Sequence, residues 1–217
     1  MSQFTVQKQL VLESCLTLSR SGYLAGTGGN LALRLNDELF AVTPSGADYF
    51  ALEPEDICVV RLADLRQVEG GLKPSVESGM HAAMLRYKGA MNASVHTHQP
   101  LASAIALLNI DLPLSDHDDL QALGQQVAIV PYAPSGTGFL VRNLKRRLNP
   151  IDHAYLLKNH GVICAATDMA QAIINVGRIE AAAARFLYRH IDSATQLPTD
   201  LREMMLRHVS TTSLPHN

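Results

Sequence analysis

Apolar residues recur at helical spacing over residues 7–20, where Leu10, Val11, Cys15, Leu16 and Leu18 share most of one stripe and Ser21-Gly22 ends the pattern. The chain is therefore predicted to open with a helix. The period then changes: Leu31, Leu33 and Leu35 alternate with Ala32 and Arg34, Asn36-Asp37 supplies a turn, and residues 39–42 continue as the second arm of a hairpin. Residues 57–62 and 65–68 predict two more short strands around Ala63-Asp64, closed by Gly70-Gly71.

Ser75 precedes Val76, Met80, Ala83, Met84 and Tyr87, a 3.6-period stripe, and is well placed as the N-cap of a second helix. Beyond it the pattern predicts a strand over 91–97, a helix over 101–108, a strand over 126–132 and a helix over 139–148. An extended pair over 154–165, broken at His160-Gly161, follows, and then a long alanine-rich helix over 168–191 with Thr167 as its cap. Strands and helices interleave with no internal repeat and no linker, so the 217 residues are read as one layered α/β domain.

Composition narrows the partners. With 47% hydrophobic and 18% charged residues the chain has enough apolar material for an ordinary core. Its net charge of −2 provides no basic field for a phosphate polymer, so no nucleic-acid partner is expected. The longest apolar stretch, near residues 101–108, falls far short of the roughly 20 residues of a membrane span. No membrane partner is expected either. The first residues lack the apolar core of a signal peptide, and the expected location is cytoplasmic. Cys15, Cys58 and Cys164 are odd in number and set among apolar residues, which reads as buried thiols. Nine histidines in a chain without tryptophan are the first sign of chemistry, because imidazole is the usual ligand and proton carrier near neutral pH.

The sharpest local feature is Val95-His96-Thr97-His98-Gln99-Pro100. On an extended strand residues two apart project to one face, so both imidazoles converge. His160 follows a predicted strand and precedes Gly161, which can turn the backbone sharply. Three neutral imidazoles with an open position describe a catalytic zinc-type site. Taken alone, a His-x-His pair is also common on half-buried strands. No glutamate follows it within residues 99–108 as a cupin would need, the chain is short for an amidohydrolase barrel, and no His-Glu-x-x-His helix occurs. Glu77 lies on the first turn of the Ser75 helix, where a carboxylate commonly serves the helix dipole. Glycine-containing turns at residues 26–30 and 43–46, with the start of the Ser75 helix, offer N–H groups and hydroxyls suited to a phosphate.

Gly26-Thr27-Gly28-Gly29-Asn30, Thr43-Pro44-Ser45-Gly46, Pro74-Ser75-Val76-Glu77, His96-Thr97-His98 and Asn159-His160-Gly161 occur in that order. In this combination the chain resembles the class II aldolase/adducin family over about residues 15–189, most closely its fuculose phosphate aldolase branch. Ribulose phosphate epimerases and sugar-acid phosphate decarboxylases are near relatives. The resemblance implies a three-layer α/β/α sandwich with a mixed, mostly antiparallel sheet, and a homotetramer with active sites between neighbours. It implies a divalent zinc on His96, His98 and His160, and Glu77 as the acid/base beside it. It also implies a sugar-phosphate substrate held by Gly29, Asn30, Ser45, Gly46 and Ser75.

Two positions depart from the pattern. Many relatives carry a second serine where this chain has Val76, which removes a hydroxyl donor from the anion pocket. In residues 112–119 the aldolase branch would place a tyrosine near His117; here His117 or an aspartate such as Asp119 would serve as the second proton-transfer group. Residues 116–119 otherwise read as a solvated acidic turn. The implied chemistry is metal-assisted cleavage beside a carbonyl through an enediolate, with Glu77 moving the proton and burial raising its pKa. Aldol cleavage is the first expectation. Decarboxylation of a 3-oxo-tetronate phosphate and 4-epimerisation are alternatives on the same site, and a non-catalytic adducin-like binding module is the alternative outside enzymes.

Overall fold

The computed structural model describes residues 3–24 and 28–212; Gly26 and Thr27 of the first glycine loop, and His216, lie outside the described residues. Nine strands form one sheet: β1 (Asn30–Arg34), β2 (Leu39–Val42), β3 (Cys58–Arg61), β4 (Gln67–Glu69), β5 (Ala93–Thr97), β6 (Leu112–Pro113), β7 (Gln126–Val130), β8 (Ala154–Leu157) and β9 (Gly161–Ala166). Their spatial order is β4-β3-β2-β1-β5-β9-β8-β7-β6. Every pairing is antiparallel except β7 with β8. The expected mixed, mostly antiparallel sheet is thus the observed one.

Among the described residues seven helices accompany the sheet: α1 (Thr5–Arg20), α2 (Ser78–Tyr87), α3 (Pro100–Leu108), α4 (His117–Leu123), α5 (Gly138–Arg147), α6 (Met169–Asp192) and α7 (Thr199–Thr212). Alternation along β9 shows how they are layered. Val162 and Cys164 pack with Val11 and Cys15 of α1, Ile105 of α3 and Val176 and Ile179 of α6. Ile163 and Ala165 point the other way, against Met80 and Met84 of α2 and Leu140 and Leu144 of α5. A further cluster joins Ala82 and Leu85 of α2 to Ala32, Phe40, Val42 and Val60. Burial on both faces, with side chains alternating across the pleat, produces the three-layer sandwich. No described helix is long and apolar enough to cross a membrane, and Cys15, Cys58 and Cys164 are buried and free.

Three local expectations need correction. Helix α2 begins at Ser78, not at Ser75. Ser75 is held extended, its N–H donating to the Thr43 carbonyl at 3.0 Å beside a Pro44–Pro74 bridge. Helix α6 is capped by Asp168, whose carboxylate accepts from the Gln171 N–H at 2.8 Å, not by Thr167. A carboxylate is favoured there because it both accepts the orphan N–H and meets the positive end of the helix. The acidic run after Ser115 is α4, with Asp116 as its cap, not a solvated turn. Helix α7 had no expectation at all; its apolar side closes on α6 and α3.

Candidate active site

Asn30 on β1 is paired with His96 on β5, and Thr97 is paired with Val162 near the start of β9. His98, just past β5, and His160, just before β9, therefore lie at the same end of two hydrogen-bonded strands. A tight turn delivers His160: Asn159 takes a left-handed φ of 56°, and the His160 N–H donates to the Leu157 carbonyl at 3.0 Å. Asparagine is among the few residues that tolerate this conformation. Gly161 is needed for closeness. A Cβ there would stand 2.4 Å from the Thr97 carbonyl oxygen and 2.7 Å from His98 Cδ2.

The three imidazoles consequently converge, with ligand nitrogens all within 4.8 Å of one another. His96 is fully buried and donates from Nδ1 to the Val162 carbonyl at 2.7 Å. In the neutral ring this leaves Nε2 as a lone pair. Burial is the main cause that pushes His96 down to about 3, so the neutral form prevails. His98 Nε2 faces that lone pair at 3.0 Å, and burial followed by the His160 charge lowers His98 as well. His160 Nδ1 has no hydrogen-bond partner among the described residues, so its tautomer is not set by the fold as that of His96 is. The His96 lone pair faces the other two rings and the Glu77 carboxylate, an arrangement that a cation between them would satisfy. The donor set fits a divalent metal ion of the kind imidazole favours.

Glu77 supplies that carboxylate from the position just before α2, only 5% exposed. Its Oε2 lies 3.3 Å from His96 Nε2 and its Oε1 3.3 Å from His160 Nε2. Asn30 Nδ2 donates to Oε2 at 2.8 Å and Ser135 Oγ to Oε1 at 2.7 Å. The expectation of a raised pKa is overturned. Burial alone would raise it, but His96, the two donors and His160 together hold Glu77 well below the usual carboxylate range. The carboxylate is ionised.

Ser135 was missed by sequence reasoning. It stands in the loop between β7 and α5, where Thr137 caps the helix by accepting from the Leu140 N–H. Pro134-Ser135-Gly136-Thr137 carries the same glycine-and-hydroxyl signal as the two loops that were singled out. Asn30 also has a second partner, His81 Nε2, 2.6 Å from its Oδ1. Among the described residues no partner takes the second amide N–H of Asn30.

Of the residues expected to hold phosphate, Asn30 and Ser75 bond directly to Glu77. Gly29 has a φ of 82°, and its carbonyl accepts from the Tyr49 hydroxyl at 2.6 Å. The Ser45 N–H donates to the Lys73 carbonyl at 2.9 Å, which fixes the Ser45-Gly46 turn beside Ser75. Ser75 Oγ accepts the Glu77 N–H at 3.2 Å. Val76 is 64% exposed next to them.

His117 and Asp119 are not brought to this site within the chain. Both lie on α4, which packs against α6 in the layer opposite α2. His117 is exposed, whereas Asp119 is buried and ion-paired to Arg178 at 3.4 Å and to Arg185. The Asp119 carboxylate, gripped by two guanidinium groups, joins α4 to α6.

Comparison with known proteins bears on this arrangement. A family model described as Class II Aldolase and Adducin N-terminal domain matches residues 9–187. The chain is 35% identical over 190 residues to a 5-deoxy-D-ribulose 1-phosphate aldolase of Bacillus thuringiensis serovar kurstaki, covering 86% of this chain and 87% of that protein. It is 31% identical to a 3-oxo-tetronate 4-phosphate decarboxylase of Haemophilus influenzae, covering 83% of this chain and 86% of the relative. A solved L-fuculose 1-phosphate aldolase superposes with a TM-score of 0.79 at 29% identity, over 97% of this chain and 98% of the other. Because the family match begins within α1 and ends within α6, it takes in every strand and every site motif, and the chain belongs to the class II aldolase and adducin family.

Proposed function

We propose that the chain is a zinc-dependent aldehyde-lyase that cleaves a small sugar phosphate by a retro-aldol step. The observation that carries this reading is the Glu77 carboxylate, 3.3 Å from both His96 Nε2 and His160 Nε2 and anchored by Asn30 and Ser135. A divalent ion held by His96, His98 and His160 would supply Lewis-acid polarisation of a substrate carbonyl and its neighbouring hydroxyl. Gly29, Asn30, Ser45, Gly46 and Ser75 bind the phosphate through N–H groups and hydroxyls. In cleavage, the bond between the carbon beside the carbonyl and the carbinol carbon breaks, and its electron pair stays with the carbonyl fragment. Glu77 handles the proton at that carbon: it removes it in the synthetic direction and returns it in cleavage. The carbinol hydroxyl loses its proton as the aldehyde forms. In a homotetramer with intersubunit active sites, the partner subunit's His117 takes that proton.

Decarboxylation of a 3-oxo-tetronate 4-phosphate is the second reading. Val76 in the anion pocket and an imidazole at His117 favour it, as does the decarboxylase among the relatives. Both reactions leave an electron pair beside a carbonyl, so the leaving fragment decides. Offering fuculose 1-phosphate, 5-deoxyribulose 1-phosphate and a 3-oxo-tetronate phosphate with Zn²⁺ separates the two: aldehyde release supports the lyase and CO2 release overturns it. Absence of turnover together with absence of bound metal would point to a binding module instead.

A further inference from the structure

Behind Glu77 lies a buried polar line that the proposed reaction does not use directly. It runs Ser94, His81, Asn30, Glu77, with contacts of 2.8, 2.6 and 2.8 Å. His81 and Ser94 are fully buried and Asn30 is 7% exposed, so each contact replaces one that water cannot make. The four residues come from three elements and the segment before α2, joined by topology and not by sequence. Ser94 and His96 are alternate residues of β5 and face the α2 layer, where His81 lies one turn after Glu77.

The direction of every bond is forced in turn. Asn30 Nδ2 donates to Glu77 Oε2, which leaves the Asn30 carbonyl oxygen facing His81 Nε2. His81 Nε2 must then carry the proton. Burial, opposed only by the Glu77 charge, pushes His81 down to about 4, so the ring is neutral and Nδ1 is a lone pair. Ser94 Oγ–H must therefore donate to Nδ1. Without this line the amide of Asn30 is free to turn over, which would aim a carbonyl oxygen at the Glu77 carboxylate.

We propose that His81, held in one tautomer by Ser94, is a positioning residue that locks the Asn30 amide and thereby fixes the Glu77 carboxylate against the three-histidine cluster. The role rests on Glu77 being the acid/base group of the proposed reaction, but the hydrogen-bond line exists whether or not that reaction is correct. His81 acts two bonds away from the reacting atoms. Its loss should therefore slow the proton step and, through the Asn30 amide, weaken the hold on phosphate, while metal content stays as it is. Glutamine can offer an N–H near the place of Nε2, whereas leucine fills the space and offers none.

The first arm of the test needs no substrate. The metal-loaded protein labelled with ¹⁵N in its histidines is examined by long-range ¹H–¹⁵N correlation at neutral pH, with His81 assigned through the His81→Gln spectrum. The expected signature is a neutral ring protonated at Nε2, with the second tautomer appearing in Ser94→Ala. A ring protonated at Nδ1, or an imidazolium, overturns the proposal even if every sugar phosphate proves inert. The second arm measures kcat, KM and bound metal on the substrate that turns over. His81→Leu should lose roughly 10- to 100-fold in kcat, as expected when a reacting group is misplaced, with bound metal unchanged. His81→Gln should recover most of the rate. Equal rates in the two variants, an unchanged kcat in the leucine variant, or a loss carried by metal content overturn the role; if the leucine variant does not fold, Ser94→Ala and His81→Gln are compared with wild type in its place.

Discussion

Asn30 and His96 face each other across the antiparallel β1–β5 register, so one backbone pairing sets the amide that holds Glu77 beside an imidazole that Glu77 touches at 3.3 Å. The carboxylate is thereby anchored to the same strand pair as the candidate ligands, although it arrives from the start of α2.

Replacing that carboxylate isolates its chemistry. In Glu77→Gln the amide keeps the volume, and the three histidines are untouched. Bound metal should persist while kcat falls about 10²- to 10⁴-fold, the usual loss for a general acid–base group. Elemental analysis beside steady-state kinetics checks both halves. An unchanged kcat would remove Glu77 from the mechanism.

Gly161→Ala tests the approach of β9 to β5. The added methyl would meet the Thr97 carbonyl at 2.4 Å and His98 at 2.7 Å, both far inside contact distance. Overpacking of this kind typically costs about 1–3 kcal/mol. The variant should unfold at lower urea and hold metal at least about tenfold more weakly, because a small shift of His98 and His160 spoils ligand geometry. Equal metal affinity would show that the strand approach does not set the cluster.

Much of this arrangement was legible in the chain itself, and the gaps have physical causes. His96 and His98 are two residues apart on a strand, and Glu77 stands in a recognisable run after Pro74-Ser75, so short-range periodicity and motif reveal them. Ser135 and Asn30 reach Glu77 across 58 and 47 residues of chain, distances that no local pattern encodes. His81 sits among apolar residues of α2 with no local sign of a role; only the fold supplies Asn30 and Ser94 as its partners. The wrong start for α2 has the same origin. A free Ser75 would cap well, but the tertiary bond from its N–H to Thr43 holds it extended. The ion pairs of Asp119 with Arg178 and Arg185 on α6 likewise come from the fold and not from any local pattern.

Acid should destabilise the metal-free protein through His81. Its ordinary pKa of 6.5 falls to about 4 in the folded chain. Between those values the unfolded chain binds a proton that the folded ring refuses, so stability declines as pH falls through 6.5. The slope is about 1.4 kcal/mol per pH unit for each such ring. Urea midpoints at pH 7.5 and pH 5 should differ less in His81→Gln than in wild type. An identical pH dependence would contradict a buried neutral ring.

Val76→Ser addresses the anion pocket. The side chain is exposed between Ser75 and Glu77, and a hydroxyl there can donate to a bound phosphate. A hydrogen bond to a charged group contributes about 1.5–3 kcal/mol, so affinity for inorganic phosphate should rise roughly 10- to 100-fold. Calorimetric titration reads this directly. Unchanged affinity would place the phosphate elsewhere.

Metal content is the measurement closest to the central claim, that three imidazoles from the facing ends of β5 and β9 hold one cation. Wild-type protein purified without added metal, and then dialysed against a trace of Zn²⁺, should carry one transition-metal ion per chain by elemental analysis, and His96→Ala should carry almost none while remaining folded. Wild type with no ion above background, or a His96→Ala variant with full occupancy, would contradict the account.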